Sequence, residues 1–138
     1  MEAMIHSRRL TKRSRRGSAT VELAVCMPLL MLFICGGIEM CQRIMLRQTA
    51  TLTAYEGLRL AVRRYTTTAM VKARCEMILS DRGVKNATVV ISPSPIETQV
   101  RNTPITINVT IPWEGNSPIR FLTGTMGQIK AQGAMVRE

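Results

Sequence analysis

The stretch RRGSATVELAVCMPLLMLFICGGIEM, residues 15–40, decides the fold. A basic approach ends at Gly17, and from Leu23 to Ile38 no charged residue occurs. Glu22 is the one carboxylate between Gly17 and Ile38 and stands at the mouth of this apolar run. Ser18-Ala19-Thr20 suits a helix start, and the charge of Glu22 suits its first turn. A helix from Ser18 to Met40 is about 34 Å long at 1.5 Å per residue. That length crosses a hydrocarbon core of about 30 Å. Side chains apolar on every side of a helix require a nonaqueous surrounding. Pro28 is expected to bend this span without ending it, because membrane helices tolerate proline.

On the N-terminal side, Arg8, Arg9, Lys12, Arg13, Arg15 and Arg16 precede the apolar run. The chain carries 19 Lys and Arg against 9 Asp and Glu, a formal net charge of +10. A basic excess can signal nucleic acid, but its crowding before a span fits the positive-inside rule, which holds that end in the cytoplasm. The remaining basic residues are dispersed and no aromatic stacking platform accompanies them, so no nucleic-acid partner is expected. Membrane lipid is the expected surrounding of the span.

On the C-terminal side, the helix is expected to run past the membrane. Ile38, Cys41, Met45, Leu52, Tyr55 and Val62 follow spacings of three, four and seven, an amphipathic stripe that carries the helix to about Tyr65. A break falls at Thr66-Thr67-Thr68, and a second helix follows at about 69–81, with Gly83 as its C-terminal cap. If that helix folds back from Thr67, Cys75 comes opposite Gly57 and far from Cys41, against a Cys41–Cys75 bond. Strands are expected at about 87–91, 105–111 and 128–136. The second alternates cleanly, Ile105, Ile107, Val109 and Ile111 against Thr106, Asn108 and Thr110, and the third is interrupted by Gly133. The fold class is α+β: an N-terminal transmembrane helix continues into an amphipathic helix packed on a small antiparallel sheet, a pilin-like arrangement. The expected division is a basic leader over 1–17, the transmembrane helix over 18–40 and an extracytoplasmic domain over 41–138.

Little in the chain supports catalysis. The only histidine, His6, lies in the leader, and the acids beyond the span are scattered. No phosphate loop or dinucleotide turn occurs. The four cysteines, Cys26, Cys35, Cys41 and Cys75, show neither a CxxC pair nor zinc-ligand spacing. No enzyme, small-molecule substrate, cofactor or metal is expected. Cys41 and Cys75 leave open an intermolecular disulfide. Glu39, about 26 Å along a helix from Glu22, reads as a boundary marker at the far interface.

The same stretch resembles the N-terminus of TadE-like pseudopilins of the tight-adherence (Tad/Flp) pilus system. Gly17, Ala19, Val21, Glu22, Ala24, Pro28, Leu29, Leu30, Gly37, Ile38 and Glu39 match that family's pattern, while Leu23 stands where Phe or Tyr is more usual. The resemblance implies cleavage between Gly17 and Ser18 by a prepilin peptidase, usually with methylation of the new N-terminus. It also implies a minor, pilin-like role in pilus assembly at the inner membrane. The partners would be other pilins or pseudopilins and the assembly platform. Cleavage would give Ser18 an α-amine, a charge partner for the Glu22 carboxylate of a neighbouring subunit. The rival reading is a secreted or surface β-rich binding domain behind a cleaved secretory signal. Its cut would fall near Gly36-Gly37, where no A-x-A stands, and the apolar stripe runs through it.

Overall fold

The structure, a computed structural model, describes residues 16–100, 102–117 and 127–137. Positions 1–15 of the expected leader lie outside the described residues. The chain forms two compact units, Met1–Ile34 and Cys35–Glu138. Helix α1 (Arg16–Ala61) begins in the first and ends in the second. It starts before Ser18, so Glu22 lies past its first turn, and it continues through Pro28.

The second unit is the α+β body expected from the sequence. After α1 come helix α2 (Thr68–Asp81) and strands β1 (Thr88–Ser92), β2 (Pro104–Pro112) and β3 (Gln128–Val136). The strands form an antiparallel sheet in the order β1-β2-β3. Strand β2 is central, and its alternation sets the register. Ile105, Ile107, Val109 and Ile111 are fully buried, while Thr106, Asn108 and Thr110 are half-buried. Each buried isoleucine contributes about 1.5–3 kcal/mol by leaving water, so this strand anchors the core. Across from it β3 offers small partners: Ile107 faces Gly133 and Val109 faces Ala131.

Those small residues admit α1. A Cβ on Gly133 would stand 2.6 Å from Leu58 Cδ1, so the glycine that weakens β3 as a strand makes room for a side chain of the helix. The buried face of α1 is Leu46, Thr49, Ala50, Thr53, Ala54, Gly57, Leu58 and Ala61. The threonines are tolerated there because their hydroxyls are satisfied inside the helix. Thr49 Oγ1 donates to the Met45 carbonyl at 2.9 Å, and Thr53 Oγ1 to the Thr49 carbonyl at 2.8 Å.

This buried face is not the stripe that the spacing singles out. Ile38 is 42% exposed, Met45 61%, Leu52 38% and Tyr55 54%, whereas Leu46 is 8% exposed. At about 100° per residue the two faces lie on roughly opposite sides of α1. Hydrophobic periodicity weights large side chains, but close approach of a helix to a sheet requires small ones.

Helix α1 ends at Ala61, short of Tyr65, which has φ +63° and cannot continue a right-handed helix. Thr67 caps α2, its hydroxyl accepting from the Met70 amide at 3.3 Å. At the other end Gly83, at φ +67°, lets its own amide reach the Ser80 carbonyl (2.8 Å) and the Val84 amide the Leu79 carbonyl (2.9 Å). This is the paired bonding of a Schellman stop. Asn116 then ties the following loop to the end of β2. Its Oδ1 accepts from the Lys85 amide at 2.7 Å, and its Nδ2 donates to the Lys85 and Pro112 carbonyls, both at 2.8 Å.

Candidate functional site

In the first unit, the candidate site is the helical segment from Gly17 to Ile34. Val21, Leu23, Val25, Met27 and every residue from Leu29 to Ile34 are exposed. Water does not stabilise such a surface; at about 25 cal/mol per Å2, every face of this segment favours an apolar surrounding. The helical stretch Ala19–Ala61 contains an unburied window with a mean hydropathy of 2.2, long and apolar enough to cross a membrane. Gly17 and Glu22 both lie on this exposed helix. A Cβ added at Gly17 would meet no described atom within 4 Å. Packing among the described residues therefore does not require glycine at that position. Pro28 stands within the exposed helical run.

In the second unit, Glu39 is only 3% exposed. The residue read from the sequence as a marker of the far end of the span is thus buried in the second unit. Nothing in the spacing signals this, because apolar residues flank it on both sides.

The cysteines separate by burial. Cys75 is fully buried, and the place a Cβ would take on Gly57 lies 2.6 Å from its Sγ. The fold-back expected at Thr67 thus brings Cys75 onto Gly57. Its thiol points to the Thr53 carbonyl at 3.7 Å. Burial, reinforced by Glu76 and opposed by Arg74, pushes the thiol up to about 11. A thiol held protonated and covered is neither nucleophile nor disulfide former in the folded chain. Cys41, in contrast, is exposed.

One polar cluster escaped sequence reading. The Glu97 carboxylate accepts from the Thr68 amide at 2.8 Å and from the Thr68 hydroxyl at 3.0 Å, at the start of α2. Its own backbone amide, then Thr68 and Arg137, hold it below the usual carboxylate range. Arg137 Nη1 also donates to the Ile96 carbonyl. The partners are 29 residues apart in sequence, so only the fold joins them. The cluster secures the segment before β2 to α2; its polar groups are spent on one another.

Searches of curated proteins and of solved structures return no match to the chain. A comparison with family models does. The segment that begins at Gly17, crosses the exposed apolar run and enters the helix face packed on the sheet matches the family described as TadE-like protein. Over residues 17–59 the chain is similar to that family.

Proposed function

We propose that this chain is a minor pilin-like (pseudopilin) subunit, needed for assembly of a Tad-type adhesive pilus or a related secretion machine. The observation that carries the reading is the TadE-like match, which opens on Gly17 and continues along an apolar helix whose side chains are exposed on every face as far as Ile34. Residues 1–17 form a cytoplasmic leader that a prepilin peptidase removes between Gly17 and Ser18. Residues 18–40 anchor the chain in the inner membrane, with Pro28 the point at which the span bends. Residues 41–138 form the extracytoplasmic domain. The partners are other pilins or pseudopilins, the assembly platform and membrane lipid. The role is structural and assigns no residue to catalysis.

Two measurements test this. The mass of the mature N-terminus separates three chains: one starting at Ser18, one starting near Ile38 after a secretory cut, and one retaining Met1. The proposal requires Ser18. Gly17→Val should then accumulate the uncut form in the membrane, and the open space around Gly17 means the substitution leaves the fold intact. An unchanged mature mass in that variant removes the leader from the proposal. The second measurement is orientation. The basic residues before the span hold it inside, so a reporter active only in the periplasm should work when fused after Glu138. Activity there of a reporter confined to the cytoplasm reverses the topology.

A further inference from the structure

We propose that the exposed arginines where α1 turns into α2 form a docking site for an acidic segment of a different protein, with carboxylates as the groups recognised. The inference goes beyond the pilus reading, and every residue in it belongs to the second unit. Arg59 lies in the last turn of α1. The backbone keeps winding past Ala61: the Val62 amide donates to the Leu58 carbonyl at 3.0 Å and the Arg63 amide to the Leu60 carbonyl at 3.1 Å. Arg63 therefore stands about one turn, roughly 6 Å, beyond Arg59. Arg74 joins them from α2, and the three line one concavity of about 220 Å3 together with Glu56 and Leu60. All three arginines are exposed and Glu56 is half-buried.

These charges do not serve the fold. Lys72 on α2 has its carboxylate, Glu76, at 3.9 Å. Among the described residues no ion pair reaches Arg59, Arg63 or Arg74. Arg74 spends one N–H on the Met77 sulfur at 3.8 Å, a weak acceptor. Like charges one turn apart repel, and one carboxylate stands against three guanidinium groups. Arg64 and Tyr65 continue the surface. Tyr65 is 94% exposed, and its φ of +63° is one that a bulky side chain rarely adopts. Tyrosine and arginine are the residue types that carry much of the energy of protein interfaces.

The chemistry selects the occupant. A guanidinium fork matches a carboxylate with two parallel hydrogen bonds. The spacing of Arg59 and Arg63 suits carboxylates at alternate positions of an extended segment, about 6.6 Å apart. A second copy of this chain does not offer them, because no two of its acidic residues stand within four positions of each other. The Glu56 carboxylate in the same concavity opposes a doubly charged phosphate more than a singly charged carboxylate. Headgroups of the chain's own membrane are remote: Arg59 lies about 28 Å of helix past Met40, the expected end of the span.

The test is fluorescence anisotropy of the full chain in detergent at low ionic strength. The probe is a labelled peptide, Gly-Glu-Gly-Glu-Gly-Glu-Gly, set against the same peptide with Gln for every Glu. The acidic peptide should bind and its Gln counterpart should not. Arg59→Glu combined with Arg63→Glu should weaken binding about tenfold or more, and Arg74→Glu about threefold or more. Arg82→Glu combined with Lys85→Glu changes the net charge equally at exposed positions outside the concavity, and should leave binding within about twofold. Thermal melting of each variant confirms the fold, and Arg59→Gln with Arg63→Gln replaces the charge reversal if that variant melts early. No binding by the parent chain, or equal binding of the Gln peptide, overturns the recognition of carboxylates. An equal loss in the Arg82 and Lys85 variant reduces the effect to net charge and overturns the site. Displacement of the probe by pyrophosphate at lower concentration than by unlabelled peptide assigns the site to phosphate and overturns the acidic partner. These measurements use the purified chain, so their outcome is separate from whether the N-terminus is cut at Ser18.

Discussion

Glu22→Val is expected to yield a chain that is cut after Gly17 and integrated in the membrane yet builds no fibre. Glu22 lies on the exposed apolar helix of the first unit. Replacing a carboxylate by an apolar side chain at the end of a span favours insertion, and the cut lies five residues away. Neither processing nor integration should suffer. The loss falls on assembly. The prediction rests on the proposal that the Ser18 α-amine of one mature subunit enters a poorly solvated contact with its neighbour and meets the Glu22 carboxylate there. Removing one partner of such a pair leaves the other charge uncompensated, at a cost of about 3–5 kcal/mol. That is roughly a hundredfold to a thousandfold or more in docking affinity. Glu22→Asp should be partly defective because its arm is one methylene shorter. The measurement is made in the native host: N-terminal mass first, then surface fibres and co-purification with other pilins. Wild-type fibres and contacts from a normally cleaved Glu22→Val chain would show that this residue only marks the edge of the span.

The largest effect on stability is expected at Gly57, where α1, α2 and β2 converge. A Cβ there would lie 2.6 Å from Cys75 Sγ, 3.0 Å from Ile107 Cδ1 and 3.7 Å from Val71 Cγ1. All three neighbours are fully buried, so none has open space to move into. Gly57→Val adds two further methyl groups and should cost about 3 kcal/mol or more, at the upper end of overpacking. For a unit of about a hundred residues this lowers the melting temperature by well over 10 °C. Gly57→Ala should be milder, because alanine recovers about 1 kcal/mol of helix propensity. Combining it with Cys75→Ala removes the closest clash. The double variant should therefore be more stable than the two single losses added together, by about 1–2 kcal/mol. Thermal unfolding of the full chain in detergent reads both effects. If Gly57→Val melts within a few degrees of the parent chain, the close approach of the three elements is wrong.

The order of elements was legible in the sequence because each carries a local signal. Sixteen residues without charge signal an apolar helix, the alternation Ile105–Ile111 signals a strand buried on one face, and Gly83 supplies the left-handed stop that ends α2. Glu22 was legible for the same reason: one carboxylate beside an apolar run stands out in the linear chain. The TadE-like segment likewise lies in consecutive residues and needs no fold to be recognised.

What the sequence could not decide was which side of α1 the sheet would cover. The helix carries two candidate faces, and the one with larger side chains, Ile38 through Tyr55, has the stronger periodic signal. The sheet takes the other because Gly57, Ala50 and Ala54 let backbones approach closely, and Gly133 on β3 completes that approach. Small residues have little hydrophobic signature of their own; their value appears only when a second surface arrives. The same is true of Glu97 on Thr68 and of the enclosure of Glu39. The sequence by itself determined an apolar anchor, the element types and a helix with an apolar seam. Only the tertiary structure decided that this seam faces outward, because shape complementarity between α1 and the sheet outweighed the larger apolar area on the opposite face.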